Sequence, residues 1–381
     1  MNHSTAYNRF DVLVIGAGVI GLSVASEVAK LCPRVGVIER HAGPGRETST
    51  RNSGVIHAGL YYPKGSAKTK LCIEGRERLY RWCAEQRIPH RQCGKLVVAT
   101  SKDETAALER LLKHSRENGV EELRWIDKSD LKSREPNLNA WSAIWSPRSG
   151  VLDADALVQS LRRKAEEAGV AIGWQTELVG VDRAQNEWKL RVARQADEED
   201  ILHAPVIINA SGLYADKVAR WAGFDTRALG WEQRWVRGDY YSLSASAPTP
   251  NCPLVYPLPH RGLKGLGIHL TQDLGGQWRA GPDTTDIEEL NYEIGENKAD
   301  AFAASLARWL PGISASQLRP DYAGIRPKLA LRDPAHISDF ILSMQPNGFM
   351  HLGGIESPGL TASLAIGVEV ARVFIDMGFS S

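Results

Sequence analysis

The chain is poor in cysteine and carries no excess of charge of either sign. Five cysteines in 381 residues, Cys32, Cys72, Cys83, Cys93 and Cys252, form no C-x-x-C pair and leave an odd one over. That pattern excludes a zinc ribbon and a disulfide framework and fits a reducing compartment. Forty-six Lys plus Arg against 45 Asp plus Glu leave a net charge of +1, so no global field draws the protein to nucleic acid or to an acidic membrane. Long apolar runs are also missing. The longest, Val12 to Ala25, is interrupted by glycines, is too short to span a bilayer, and follows a polar leader without a basic region. Neither an export signal nor a transmembrane segment is expected. The expected setting is cytoplasmic, or peripheral at the inner face of a membrane.

What is present is ordinary globular composition, 43% hydrophobic and 24% charged, on a chain long enough for about two or three lobes. Asp11 to Gly16 reads as a buried strand, Leu22 to Leu31 as a helix and Val35 to Glu39 as a second strand, the right-handed crossover unit of a parallel sheet. Glu104 to Asn118 and Ala154 to Ala168 are amphipathic helices ended by Gly119 and Gly169. Val170 to His203 alternates apolar and polar residues, which predicts an antiparallel meander, and Val206 to Asn209 is another buried strand. From Trp235 to Gly281, short strands between Gly and Pro clusters predict a second, mostly antiparallel domain. The tail returns to the first style, with strands at Phe340 to Met344 and Met350 to Leu352 and a helix over Pro358 to Met377. The fold class is therefore mixed α/β, a Rossmann-like parallel-sheet domain plus an antiparallel-sheet substrate domain. Residues 1–85, 150–232 and 335–381 form the first, 86–149 and 233–334 the second.

Gly16-Ala17-Gly18-Val19-Ile20-Gly21 fits G-x-G-x-x-G between a strand and a helix, the setting in which the pattern has mechanical meaning. Gly16 permits the turn, Gly18 admits a pyrophosphate to the backbone, and Gly21 lets the helix lie on the strand. Phosphates then face the helix amino terminus, where N–H groups and the dipole favour negative charge. Glu39, about twenty residues on, suits the adenosine ribose hydroxyls. Arg40 suggests a 2′-phosphate instead, but Glu39 would repel it and Arg40 should alternate to the other strand face.

Two further segments distinguish FAD from a nicotinamide. The polar loop from Thr48 to Gly59, with Thr50, Arg51, Asn52, Ser53 and Gly54, can hydrogen-bond a pyrophosphate and a fused ring, or be a solvated surface loop. Near the far end, Gly354 and the Pro358-Gly359-Leu360-Thr361 segment open a helix whose amino terminus would stabilise charge on a reduced ring. Ser357 before Pro358 is equally an ordinary helix cap. Gly212, after the Val206 to Asn209 strand, joins the cofactor candidates.

With these segments the sequence resembles the D-amino-acid-oxidase-like superfamily of FAD enzymes, and within it is most similar to the L-2-hydroxyglutarate dehydrogenase or oxidase family. The likeness rests on the fingerprint and on Arg51 to Tyr62 (RNSGVIHAGLYY), Gln92 to Leu96 (QCGKL), Arg237 to Tyr241 (RGDYY), Ala323 to Leu329 (AGIRPKL) and Glu356 to Thr361 (ESPGLT). It implies bound FAD, an antiparallel substrate domain and oxidation of a 2-hydroxy acid to a 2-oxo acid. The chain departs from the family at His260 to Leu266, which lacks an expected aromatic, proline-bearing lead into the following strand.

Oxidising a secondary alcohol needs a hydride acceptor, a base for the hydroxyl proton and a cation for the carboxylate. His57 and His269 are the base candidates, with His351 behind them. Arg326 is the carboxylate candidate, since a guanidinium grips a carboxylate bidentately. A dicarboxylate would need a second cation, from Arg237, Lys264 or Arg51. Tyr240 and Tyr256 could bond the substrate or pack on the ring. Oxygen, a quinone or a carrier protein would take the electrons. An amino acid or secondary amine as substrate, and a flavin-binding protein without turnover, are the competing expectations.

Overall fold

The computed structural model describes residues 8–194, 199–259, 267–294, 298–331 and 338–379. The apolar tetrapeptide of β1 (Val12–Ile15) is buried along its length, the turn at Gly16–Gly18 leads into α1 (Val19–Val28), and β2 (Val35–Ile38) lies parallel to β1. Six strands form this sheet in the order Ile341–Gln345, Phe349–Gly353, Val206–Asn209, β1, β2, Ala171–Gly173, and every pair is parallel except the outermost at Ile341–Gln345. Continuous apolar runs such as VLVI and VIIN suit these positions because both faces are covered. Val12, Val14 and Val35 pack under α1 and the helix Ala154–Glu167. Leu13, Ile15 and Ile38 pack instead against Trp188, Leu190 and Val192 of an antiparallel meander, Glu177–Ala184, Glu187–Ala193 and Glu199–Ala204. Each fully buried aliphatic side chain there contributes about 1.5–3 kcal/mol.

The sequence places Ala171–Gly173 in that meander, and the structure corrects it. Three residues are too few for alternation to reveal a partner, and the segment extends the parallel sheet beside β2, with Gly173 accepting from the Glu39 backbone N–H at 2.9 Å. Helix α2 (Ala67–Glu85), which sequence reasoning passed over, starts at Ser66, whose hydroxyl accepts from Thr69 N–H.

The second sheet contains β3 (Lys95–Ala99), β4 (Leu254–Pro257), β5 (His269–Gln272) and β6 (Leu318–Leu329). It is mostly antiparallel, as expected, but β3 and β4 are parallel neighbours in its centre. Strand alternation gives it two distinct faces. Leu96, Val98, Val255 and Leu270 meet Phe302, Leu306 and Trp309 on the apolar side. Lys95, Tyr256 and His269 take the opposite parity, with the Lys95 ammonium over the Tyr256 ring and His269 stacked on it. Tyr322 on β6 donates to the Asn52 carbonyl at 2.8 Å, and Thr48 donates to the Ile325 carbonyl at 3.0 Å, so the polar loop after β2 is fastened to β6. The contact is flush, since a side chain at Gly324 would start 2.1 Å from the Arg51 carbonyl oxygen. The terminal helix α3 (Gly359–Asp376) packs on α1 and α2. Among the described residues no helix is long and apolar enough to cross a membrane.

Candidate active site

One cavity of about 1100 Å³ runs from the first glycine turn to the inner face of the second sheet. At one end Gly16 has φ +102°, and any Cβ there would stand 2.7 Å from the Ala210 carbonyl oxygen. Gly21 does not line the cavity; a Cβ there would lie 1.9 Å from the Gly16 carbonyl oxygen, so its role is the close seating of α1. Helix α1 begins at Gly18 with no side-chain cap, and α3 begins at Pro358 equally uncapped. Both amino termini open onto the cavity. Two helix starts facing one cavity, with Val19 N–H donating to Ser49 Oγ at 3.0 Å, suit a ligand with a pyrophosphate and a second site of negative charge.

Glu39 follows directly on β2, with one carboxylate oxygen accepting from Ala17 N–H at 2.8 Å and the other from His41 N–H at 2.9 Å, which fixes it at the cavity wall. Arg40 does not turn away as alternation suggests. The strand ends at Ile38, and Arg40 lines the same cavity, with its guanidinium paired to Glu47 and donating to the Tyr214 hydroxyl at 2.7 Å. Arg51, Asn52, Ser53, Gly212, Gly359 and Leu360 also line it. Thr50, Gly54, Gly354 and Thr361 support it from behind. Thr50 donates to the Gly45 carbonyl, and Gly54 and Gly354 hold left-handed turns. The Thr361 hydroxyl accepts from His57 N–H at 3.0 Å. Ser357 is not the cap of α3; its hydroxyl stands 3.3 Å from His57 Nε2.

At the other end the second sheet contributes His269, Tyr256 and Arg326. His269 Nδ1 lies 3.0 Å from the Gly267 carbonyl, which selects the tautomer with Nδ1 protonated and leaves Nε2 as the acceptor. Its ring stacks on Tyr256 with centroids 3.7 Å apart. Burial, with Lys95 and Arg326 adding to it, lowers His269 from 6.5 to about 3. His57 is pushed well below its ordinary value by burial, then by Lys95 and His269. Both imidazoles are therefore neutral at physiological pH.

Arg326 sits on β6, and Lys328 follows on the same strand face. Beside them a buried ion cluster that sequence reasoning missed lines the wall: Lys68 Nζ is 3.2 Å and Lys328 Nζ 3.5 Å from the two oxygens of Glu356. Burial alone would raise the Glu356 carboxyl, but Lys68, Lys328 and Arg326 outweigh it and hold the group below the usual range. A signal for Lys68 existed, because it falls on the helical stripe with Cys72 and Leu79 that α2 buries.

Three residues expected to act on the substrate, two as cations and His351 as a base or substrate contact, are not brought to the cavity among the described residues. Arg237 does not line the cavity; its Nε is 3.0 Å from the buried Asp239 carboxylate. His351 is fully buried in the first sheet, stacked on Trp231 at 4.2 Å and 3.1 Å from Asn209 Nδ2, with no face on the cavity. Lys264, with the atypical His260 to Leu266 segment, lies outside the described residues. Arg51 does reach the cavity, with its guanidinium over the Tyr292 ring at 4.3 Å.

Residues 11–373 match the model of the DAO family, described as FAD dependent oxidoreductase. The chain is 34% identical to the mitochondrial L-2-hydroxyglutarate dehydrogenase of Arabidopsis thaliana, over 97% of this chain and 84% of that protein. It is 28% identical to the L-2-hydroxyglutarate dehydrogenase of Escherichia coli strain K12, over 95% and 92%. Among solved structures, FAD-bound, dithionite-reduced L-alpha-glycerophosphate oxidase from Mycoplasma pneumoniae superposes with a TM-score of 0.84 at 26% identity, covering 96% of this chain and 95% of that one. Glycine oxidase from Geobacillus kaustophilus, at 21% identity and a TM-score of 0.78, shares the fold.

Proposed function

Since the chain belongs to the FAD dependent oxidoreductase family, we propose that it oxidises L-2-hydroxyglutarate to 2-oxoglutarate. When bound, FAD supplies the acceptor for the hydride on the hydroxyl-bearing carbon. Gly16, Gly18, Glu39 and the start of α1 would hold its nucleotide half, and the start of α3, with Gly359 and Leu360, its ring end. The observation that carries the substrate reading is the collection of Arg326, Lys68 and Lys328 against the single acid Glu356 on one cavity wall. That wall has excess positive charge for an acid with two carboxylates. Relatives named L-2-hydroxyglutarate dehydrogenase, similar over nearly the whole chain, support the same acid.

Arg326 binds and orients the carboxylate next to the reacting carbon. The proton of the substrate hydroxyl passes to an imidazole nitrogen of the His57 and His269 pair as the hydride departs. Tyr61, Tyr62 and Tyr256 wall the reacting carbon from bulk water. We further assign residues 1–85, 150–232 and 335–381 to cofactor binding and 86–149 and 233–334 to the substrate domain, and place the protein in the cytoplasm or at a membrane surface. Oxygen, a quinone or a carrier protein takes the electrons in turn. The test is anaerobic addition of 2-hydroxy and 2-amino acids to the yellow protein. L-2-Hydroxyglutarate should bleach the flavin fastest and release 2-oxoglutarate, whereas reduction by amines alone would defeat the assignment.

A further inference from the structure

Lys95 is the first residue of β3 and is completely buried, yet its ammonium has no hydrogen-bond partner among the described residues. It does not reach the cavity itself. It lies 4.9 Å from the ring centroid of Tyr61 and 4.6 Å from that of Tyr256, and both rings line the cavity. Tyr256 in turn stacks on His269. The Tyr61 hydroxyl and His57 Nδ1 are likewise buried without partners among the described residues. An ammonium taken out of water without hydrogen bonds is destabilising, and ring faces offset only part of that loss. A purely structural lysine would have a carboxylate or carbonyl to bond; this one has aromatic rings and the two histidines of the site.

We infer that Lys95 is a positioning residue for the oxidation proposed above: from behind Tyr61 and Tyr256 its ammonium supplies a fixed positive charge that orders the aromatic floor and acts on His57 and His269. The proposal rests on that reading for the reaction and on the ring distances for the placement. The titratable and charged groups around it are consistent. Tyr61 and Tyr256 face Lys95 directly. Cys72 from α2 and Cys252 ahead of β4 are thiols that burial raises to about 12, so neither neutralises it. His57 and His269 both feel its charge, and His269 also feels that of Arg326. Burial lowers Lys95 itself from 10.5 to about 8, so the charge is present at neutral pH and is lost above about 8.

The experiment compares FAD-loaded wild type, Lys95→Met and Lys95→Arg in two measurements, thermal unfolding at pH 7 and anaerobic flavin reduction by L-2-hydroxyglutarate between pH 3 and 9. Removing an unpaired buried charge should raise the Tm of Lys95→Met. It should also move the acid limb of the reduction profile, set by the His269 imidazole held at about 3, up by about one pH unit, so that near pH 3 the variant falls roughly fivefold behind wild type. The gap should close by about pH 6, above both limbs, and Lys95→Arg, which keeps the charge, should return the limb toward its wild-type position. A Lys95→Met protein that is less stable, or that fails to fold, overturns the proposal, because both results mean a structural lysine. A stable variant with an unmoved acid limb overturns it as well. If wild type ignores L-2-hydroxyglutarate and is bleached by another acid, the substrate reading fails, and the same comparison run on that acid decides the role of Lys95.

Discussion

The two ends of the cavity are built from different materials. The end proposed for the nucleotide is made of backbone: glycines where a methyl group would strike a carbonyl, two helix starts, and one carboxylate held by main-chain N–H groups. The substrate end is made of side chains, with His57, His269, Arg326 and the Lys68–Glu356–Lys328 cluster converging from segments far apart in sequence. The difference teaches how each should fail. A backbone cradle admits its ligand or excludes it, whereas a side-chain site loses function one interaction at a time.

The largest expected effect breaks the first region outright. Gly21→Ala places a methyl group 1.9 Å from the Gly16 carbonyl oxygen, which nothing nearby can relieve, so the purified protein should carry almost no flavin by absorbance and unfold at a clearly lower temperature. Next, Arg326→Met should leave flavin content intact while cutting kcat/KM for the hydroxy acid by roughly a hundredfold or more, about 3 kcal/mol, the loss expected for one partner of a desolvated charge pair. Flavin lost from Arg326→Met, or retained by Gly21→Ala, would erase the distinction between the two ends.

Glu39→Ala should weaken FAD binding by about tenfold in a titration of the apoprotein, the scale of one lost hydrogen-bonding acceptor, with reduction by the acid unchanged once the site is saturated. A last contrast sets His269 of the cavity against His351, buried in the first sheet away from it. Burial lowers His269 to about 3 and His351 to about 4, so below about pH 6.5 the unfolded chain binds protons that the folded chain refuses. Stability is therefore complete above pH 6.5 and falls on acidification toward the folded values, by up to about 1.4 kcal/mol per pH unit for each group. Urea unfolding at pH 7 and pH 5 should show that loss reduced in both His351→Gln and His269→Asn, with only the second also slowing flavin reduction.

The same contrast explains what the sequence could disclose. The fingerprint from Gly16 to Gly21, the acid at Glu39 and the strands on either side are local, and each has its reason within about twenty residues, so the strand–turn–helix at that end of the cavity was legible. The loop residues and Arg326 were reachable because their residue types suit anions. Arg237 and His351 have the right chemistry but are buried against Asp239 and Trp231, partners that only tertiary structure supplies. Lys68 and Lys95 were passed over for the converse reason: a lysine in sequence reads as a solvated charge, and burial is what gives these two their meaning.

The flush meeting of Gly324 with the Arg51 carbonyl, stitched on either side by Thr48 and Tyr322, implies an order of events. The loop proposed to hold the nucleotide and the strand carrying Arg326 cannot settle independently, so loading the cofactor should also shape the proposed grip for the acid. Apoprotein should then capture hydroxy acids poorly, and widening that seam with Gly324→Ala should injure both ligands at once, although the residue contributes no chemical group to either.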